Sequence, residues 1–417
     1  MCYYVNRLYK FITNNMDDKV NREKENIGLK AAEWLDETIN KAVTTAVSDI
    51  HIEPGQEKFL VRFRRDGILQ EYDSLSMDYF GHVISSLKVM AGVDISDTRK
   101  PQDGHILFSP KNPVSTEPVN LRLSVFPTIF GETAVLRILD RKDLIFEKYE
   151  NLGLDPDAVG KLEAIFRQSV GMVLVTGPGG SGKTTTLYTV LNSLQSLQRS
   201  IITLEDPVEL SLQGVRQSQI RPEVGFNFAF GLRSILRQDP NVVMVGEIRD
   251  DETAEISIRA SLMGILFLST MHTTNSVGAI VRFLELGIPR SLVASALQVI
   301  IAQRLVRLIC PYCREKADPP RELVELAKLT KEEEQLLHYG KGCNACFGTG
   351  YLRRTGVFEI LFVTKEIQRL IIEGSPFTQI EAQAKKEGMR TLKEAALAKA
   401  LEGVTTLEEA IRIAPFY

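Results

Sequence analysis

A chain of 417 residues with 44% hydrophobic residues carries enough apolar side chain for at least two cores. Charged residues make up 25% and the formal net charge is −3, with no basic tail or block, which argues against non-specific nucleic-acid binding. The longest apolar runs, such as Gly264 to Met271, fall far short of a bilayer span, and Met1 to Asn15 lacks a signal-peptide core and cleavage site, so a cytoplasmic protein is expected.

Residues 1–25 are polar and are expected to form a flexible N-terminus. A helix follows, with Ala32, Leu35, Ile39, Ala42 and Val43 at helical spacing. Ser48-Asp49-Ile50-His51-Ile52-Glu53-Pro54 then alternates strictly, which puts Asp49, His51 and Glu53 on one strand face and Ile50 and Ile52 on the other. Further strands at Phe59–Arg64, Ile68–Tyr72, His105–Phe108, Leu121–Val125 and Ala134–Leu139, with a helix from Asp78 to Ala91, make residues 26–142 a mixed α/β domain.

Beyond residue 150 the rhythm becomes strand–helix alternation. Buried strands are expected at Met172–Thr176, Ile201–Glu205, Val242–Val245 and Leu266–Met271, with helices near Thr184–Leu197, Ala229–Arg237, Thr253–Met263 and Ser276–Leu284. That order implies a parallel sheet with crossover helices, the RecA-like α/β architecture, over residues 143–417. This region includes a cysteine-bearing subdomain at 306–356 and C-terminal helices within 364–414.

The segment Val173 to Thr185 fits the phosphate-binding pattern G-x-x-x-x-G-K-[ST] between an apolar strand and a helix. Gly177, Gly179, Gly180, Ser181 and Gly182 let backbone N–H groups converge on phosphate oxygens, and the following helix aims its positive end at the same anion. Lys183 can reach the β- and γ-phosphates, the Thr184 hydroxyl suits Mg²⁺, and Thr185 completes the nucleotide-binding set.

Strand ends supply the rest of the chemistry. Glu205 ends Ile201–Glu205, and Glu247 follows Val242–Val245 after Gly246, where such strands commonly place an aspartate. Ligands of parallel α/β sheets bind beyond the carboxyl ends of strands. Glu247 is therefore assigned to orient or activate water and assist with Mg²⁺, and Glu205 to a supporting or water-positioning role. An isolated strand-end carboxylate is commonly a helix cap or a solvated charge; three strand ends converging on one phosphate loop favour function. The third carries His272, a candidate γ-phosphate sensor or signal to a neighbouring subunit, or else a histidine merely hydrogen-bonded in place.

Glu205-Asp206-Pro207-Val208-Glu209, Val245-Gly246-Glu247-Ile248-Arg249-Asp250 and Ser269-Thr270-Met271-His272-Thr273 resemble the aspartate, Walker-B and histidine boxes of the secretion ATPase superfamily. With Ser48 to Pro54, Lys88-Val89-Met90-Ala91-Gly92 and Pro101-Gln102-Asp103-Gly104, the resemblance is to the GspE/PilB family, ATPases of type II secretion and type IV pilus assembly, from about residue 30 to the C-terminus. It implies an ATP-hydrolysing homo-hexamer at the cytoplasmic face of an inner membrane. Such a ring meets the membrane only through platform and recruiting proteins, and powers pseudopilus or pilus assembly. The N-terminal domain would be PAS-like and close over the ATPase domain on ATP, with Arg122 and Arg137 matching the arginines that contact the γ-phosphate. From the residues alone, each reads equally well as a surface strand arginine.

Two departures stand out. Gly179 occupies a position where the family's loop usually has threonine, and the chain starts almost at the PAS-like domain, so an additional N-terminal docking domain is expected to be absent or truncated. Cys310, Cys313, Cys343 and Cys346 form two C-x-x-C pairs, which read as a closed structural Zn²⁺ site. Retraction ATPases of pili typically lack this segment, which favours assembly or secretion. Two competing readings are a nucleic-acid-translocating RecA-like ring, which the missing basic patch disfavours, and an ATP-binding scaffold without hydrolysis, which Lys183, Glu205 and Glu247 disfavour.

Overall fold

The computed structural model describes residues 27–45, 47–111, 118–139, 145–168 and 170–414. The N-terminus expected to be flexible and the domain boundary expected at 142/143 lie outside these residues. The chain divides into two compact units, Met1–Arg141 and Lys142–Tyr417.

In the first unit, helix α1 (27–44) precedes β1 (Asp49–Pro54), β2 (Lys58–Arg65), β3 (Ile68–Ser76), α2 (Met77–Ala91), β4 (Gln102–Phe108), β5 (Val119–Thr128) and β6 (Gly131–Leu139). The strands form one antiparallel sheet in the order β3-β2-β1-β6-β5-β4. Ile50, Ile52, Phe59, Val61, Leu121, Leu123 and Leu136 are fully buried and share a core with both helices. The buried stripe of α1 is Ala31, Leu35, Ile39 and Ala42; Ala32 is exposed and Val43 only half-buried, because both fall at the margin of that stripe.

Two N-terminal signatures acquire a physical reason here. Buried Lys88 reaches Glu132 on β6 at 2.7 Å and donates to the Asp97 carbonyl at 3.0 Å, pinning the loop after α2. Gly104 leaves room for that loop, since a Cβ there would lie 2.8 Å from the Ala91 methyl.

The second unit runs α3 (Pro156–Arg167), β7 (Gly171–Thr176), α4 (Lys183–Leu194), β8 (Ile201–Glu205), β9 (Arg216–Gln219), α5 (Phe228–Ile235), β10 (Val242–Val245), α6 (Asp251–Ser261), β11 (Leu266–Met271), α7 (Ser276–Glu285), α8 (Arg290–Ala296) and β12 (Leu297–Ile309). It continues with β13 (Arg314–Lys316), α9 (Arg321–Ala327), α10 (Lys331–Glu334), β14 (His338–Gly340), β15 (Tyr351–Phe362), α11 (Lys365–Glu373), α12 (Phe377–Lys386), α13 (Leu392–Leu401) and α14 (Leu407–Ile413). The large sheet has the order β15-β12-β7-β11-β10-β8-β9, parallel except for the edge strand β15. Counting its five central strands along the chain gives 5-1-4-3-2, the RecA-like order, with β7 at the point where connections leave in both directions.

The strands are buried on both faces. Met172 and Leu174 of β7 join one core with α5 to α8, while Val173 and Val175 join the other with α3 and α4. The sheet is wider than the sequence reading: β9, β12 and β15 were not among the expected strands, and the cysteine subdomain expected at 306–356 begins inside β12 and ends inside β15. An apolar run interrupted by Gln303, Arg304 and Arg307 carries no clean two-residue period, because both faces of β12 are largely covered.

Candidate nucleotide site and cysteine cluster

β7 delivers the chain to Gly177 at φ +152°, where a Cβ would sit 2.5 Å from both the Gln303 carbonyl oxygen and Ser181 Oγ. Gly182, at φ +86°, caps α4, and a Cβ there would lie 2.8 Å from Gln303 Nε2. Strand β12 thus braces both ends of the loop, and Gln303 Oε1 also accepts from Thr186 Oγ1 at 2.7 Å. Gly179, by contrast, faces open space.

Lys183 is the first residue of α4, and its ammonium donates to the carbonyls of Gly177 (2.9 Å) and Pro178 (3.1 Å). Burial lowers its pKa, against the opposing charge of Glu247, and Arg304 adds to the lowering. Ser181 Oγ and Thr176 Oγ1 are buried with no hydrogen-bond partner among the described residues. Orphaned hydroxyls are unfavourable in a protein interior. The Ser181 hydroxyl, in a loop of this curvature, suits a phosphate oxygen.

Glu205 ends β8 only 3% exposed. One of its oxygens accepts from the Tyr188 hydroxyl, the other from Thr203 Oγ1 (2.5 Å) and Gln217 Nε2 (3.0 Å). Burial, then the charge of Glu205, pushes the Tyr188 phenol above its ordinary range. Glu247 pairs with Arg249 through one oxygen and lies 3.4 Å from His272 Nε2 through the other. Its hydrogen bond raises the Arg249 pKa further. Gly246 ties the loop down, donating to the Leu204 carbonyl (2.8 Å) and accepting from Thr270 Oγ1 (2.7 Å).

One cleft is lined by Lys183, Thr184, Glu205, Asp206, Glu247 and His272, all near the carboxyl ends of parallel strands. Tyr188, Gln217 and Arg249 belong to this arrangement without having been singled out. Arg249 lies within the Val245–Asp250 motif; Tyr188 and Gln217 reach Glu205 only through the packing of α4 and β9.

Arg122 and Arg137 lie in the first unit, directly opposite one another on β5 and β6. Register extends this row from His105 through Arg122, Arg137 and Asp49 to Arg64. Buried Asp49 accepts from Arg137 Nε at 2.9 Å and lies 3.6 Å from Arg64 Nε, so the Ser48–Pro54 signature holds a cationic sheet face in place.

The cysteines gather at the far end of the β12–β15 pair, with all four Sγ atoms within 4.8 Å of one another. Cys310 and Cys343 are 3.8 Å apart, as are Cys313 and Cys346, and Cys343 and Cys346 are 3.7 Å apart. Zn–S bonds of about 2.3 Å in a tetrahedron put sulfurs about 3.8 Å apart, so the cluster fits zinc. Burial alone would push the Cys346 thiol up; N–H groups of Cys343 and Gly350, with the neighbouring thiols, outweigh it and bring the value to about 6. Gly340 is required by close backbone approach, since a Cβ there would overlap the Gly350 carbonyl.

The family model for type II/IV secretion system proteins matches residues 26–412. Type II secretion system protein E of Xanthomonas campestris pv. campestris is 43% identical over 378 residues, 90% of this chain and 66% of that protein. Type IV pilus assembly ATPase PilB of Thermus thermophilus is 40% identical over 383 residues, 91% and 42% respectively. Type II secretion system ATPase E of Vibrio cholerae is 40% identical over 379 residues, 90% and 73%. The chain thus spans less than two thirds of the length of the first two relatives. Among solved structures, the pilus retraction motor PilT with bound ADP matches at TM-score 0.60 and 26% identity, covering 91% of this chain and 96% of that one. The Legionella pneumophila ATPase DotB matches at TM-score 0.67 and 20% identity, covering 91% and 95%, a likeness of fold. Its fold, its phosphate loop and these matches make the chain a member of the type II/IV secretion system protein family.

Proposed function

We propose that this chain is an ATP-hydrolysing motor that works as a homo-hexamer and powers pilus or pseudopilus assembly, in a type IV pilus or type II secretion system. The observation that carries the reading is the convergence of Lys183, Glu247 and His272 on one cleft beside a phosphate loop. The backbone from Gly177 to Thr185 holds the phosphates, Lys183 neutralises them, and the Ser181 hydroxyl adds a donor. Glu247 orients and deprotonates the attacking water, His272 and Arg249 hold its carboxylate, and buried Glu205 keeps the neighbouring strand end in register. Thr184 and Glu247 would hold Mg²⁺, which supplies charge neutralisation on the phosphate oxygens when bound. Zn²⁺ on Cys310, Cys313, Cys343 and Cys346 serves the fold of the β12–β15 end.

Arg122 and Arg137 supply the guanidinium pair that answers the γ-phosphate. Among the described residues no helix is long and apolar enough to cross a membrane. The proposed motor works at the cytoplasmic face of the inner membrane, held there by platform and recruiting proteins, a reading supported by its likeness to type II secretion system proteins E. The test is Mg²⁺-dependent ATP turnover by the full chain with its membrane platform present. Turnover well above a Lys183→Ala control is expected; equal rates for the two would end the proposal.

A further inference from the structure

Glu359 lies within β15 opposite Ala302 of β12, which is itself opposite Thr176, the residue that leads into the phosphate loop. Its side chain is buried, yet no role in phosphate chemistry falls to it. One carboxylate oxygen accepts from the Ser276 N–H (2.8 Å) and the Ser276 hydroxyl (2.5 Å), and the other from the Leu392 N–H (3.1 Å). Ser276 and Leu392 are the first residues of α7 and α13. First-turn N–H groups have no partner within their own helix, so this single carboxylate satisfies one in each of two helices.

The first of those helices begins where the loop His272-Thr273-Thr274-Asn275 ends. Other contacts secure the same loop: Asn275 accepts from the Gly278 N–H at 2.8 Å, and Arg304 donates to the Thr274 carbonyl at 2.7 Å. An apolar side chain would occupy the place of Glu359 with less desolvation. What a carboxylate supplies instead is a directional hold on two backbones at once.

We propose that Glu359 is a positioning residue for His272, acting through Ser276, and that it ties the histidine loop to the start of α13. The inference deepens the motor reading and rests on it. His272 reaches Glu247 only while the loop is held, and the hold is shared with the C-terminal helices. A displacement of α13 therefore reaches the histidine loop through Glu359.

The test is a double-mutant cycle on the full chain, combining Glu359→Gln with His272→Ala. Glu359→Gln alone is expected to lower kcat about tenfold while changing the KM for ATP by less than about twofold. In the His272→Ala background the same substitution is expected to add nothing. Equal losses in both backgrounds, or a raised KM at unchanged kcat, would overturn the inference. Should Glu359→Gln fail to fold by thermal melting, Ser276→Ala removes one bond and is expected to give the same pattern at smaller amplitude. Amide hydrogen exchange separates this inference from the motor reading. Whatever the turnover, Glu359→Gln is expected to speed exchange both at 272–278 and at 392–396, and acceleration confined to one segment contradicts the tie. A wild-type chain without turnover contradicts the motor alone.

Discussion

Glu205 ends β8, Glu247 follows the end of the adjacent β10, and the two differ in their surroundings. Both oxygens of Glu205 are engaged by Tyr188, Thr203 and Gln217, whereas Glu247 faces the cleft between Arg249 and His272. Tyr188→Phe removes one donor from a buried carboxylate, and the expected loss is about 1–2 kcal/mol of stability, read by denaturant unfolding. Gly179→Thr restores the side chain common in the family's loop. With nothing within 4 Å of the new Cβ, its expected effect on stability is within about 0.5 kcal/mol. The phosphate loop was legible from its glycine spacing, and the place of Glu247 from the apolar strand that precedes it. The partners of Glu205 were not, since Tyr188 and Gln217 meet it only after α4 and β9 have packed on the sheet.

At the scale of elements, the parallel strands β7, β8, β10 and β11 were legible as apolar runs, and neither β9 nor the β12–β15 pair was. That pair carries the brace on the phosphate loop, Glu359, and the cysteine cluster. Helix α14 is fastened to it through Glu409, which is 1% exposed and accepts from Arg412 and Arg307. Burial alone would push this carboxyl up; the two guanidinium groups and the Arg307 N–H outweigh burial and bring it from an ordinary 4.5 to about 2. A carboxylate depressed in the folded state stabilises fully above its unfolded value, and the benefit fades as pH falls through the folded one. About 3 kcal/mol is therefore expected to disappear between roughly pH 5 and 2. Acid titration of stability measures it, and Glu409→Gln should flatten the curve in that window. The cysteine cluster is expected to bind about one Zn²⁺ per chain by elemental analysis, and Cys346→Ser to lose the metal and lower the melting temperature.

For the whole molecule, the two units divide the labour that the motor reading requires. The second holds the phosphate loop and its carboxylates, and the first presents Arg122 and Arg137 on a face steadied by Asp49. Arg122→Ala is expected to slow turnover and leave the unfolding midpoint of the chain nearly unchanged, because that side chain is exposed, whereas Arg137→Ala is expected to slow turnover and also to lower the midpoint, because it takes a donor from buried Asp49. Family membership was legible from the order of short motifs along the chain. The sheet-face row from His105 to Arg64 was not, because strand register, which no spacing encodes, assembles it.

In the proposed motor, Glu247 performs the water chemistry at a phosphate loop that binds ATP without it. Measuring ATP affinity and steady-state hydrolysis together on the wild-type chain and on Glu247→Gln tests this most directly. The variant is expected to bind ATP within about threefold of wild type while its turnover falls about 100-fold or more. A variant that hydrolyses ATP at the wild-type rate, or a wild-type chain that binds ATP and never turns it over in any assembly state, would contradict it.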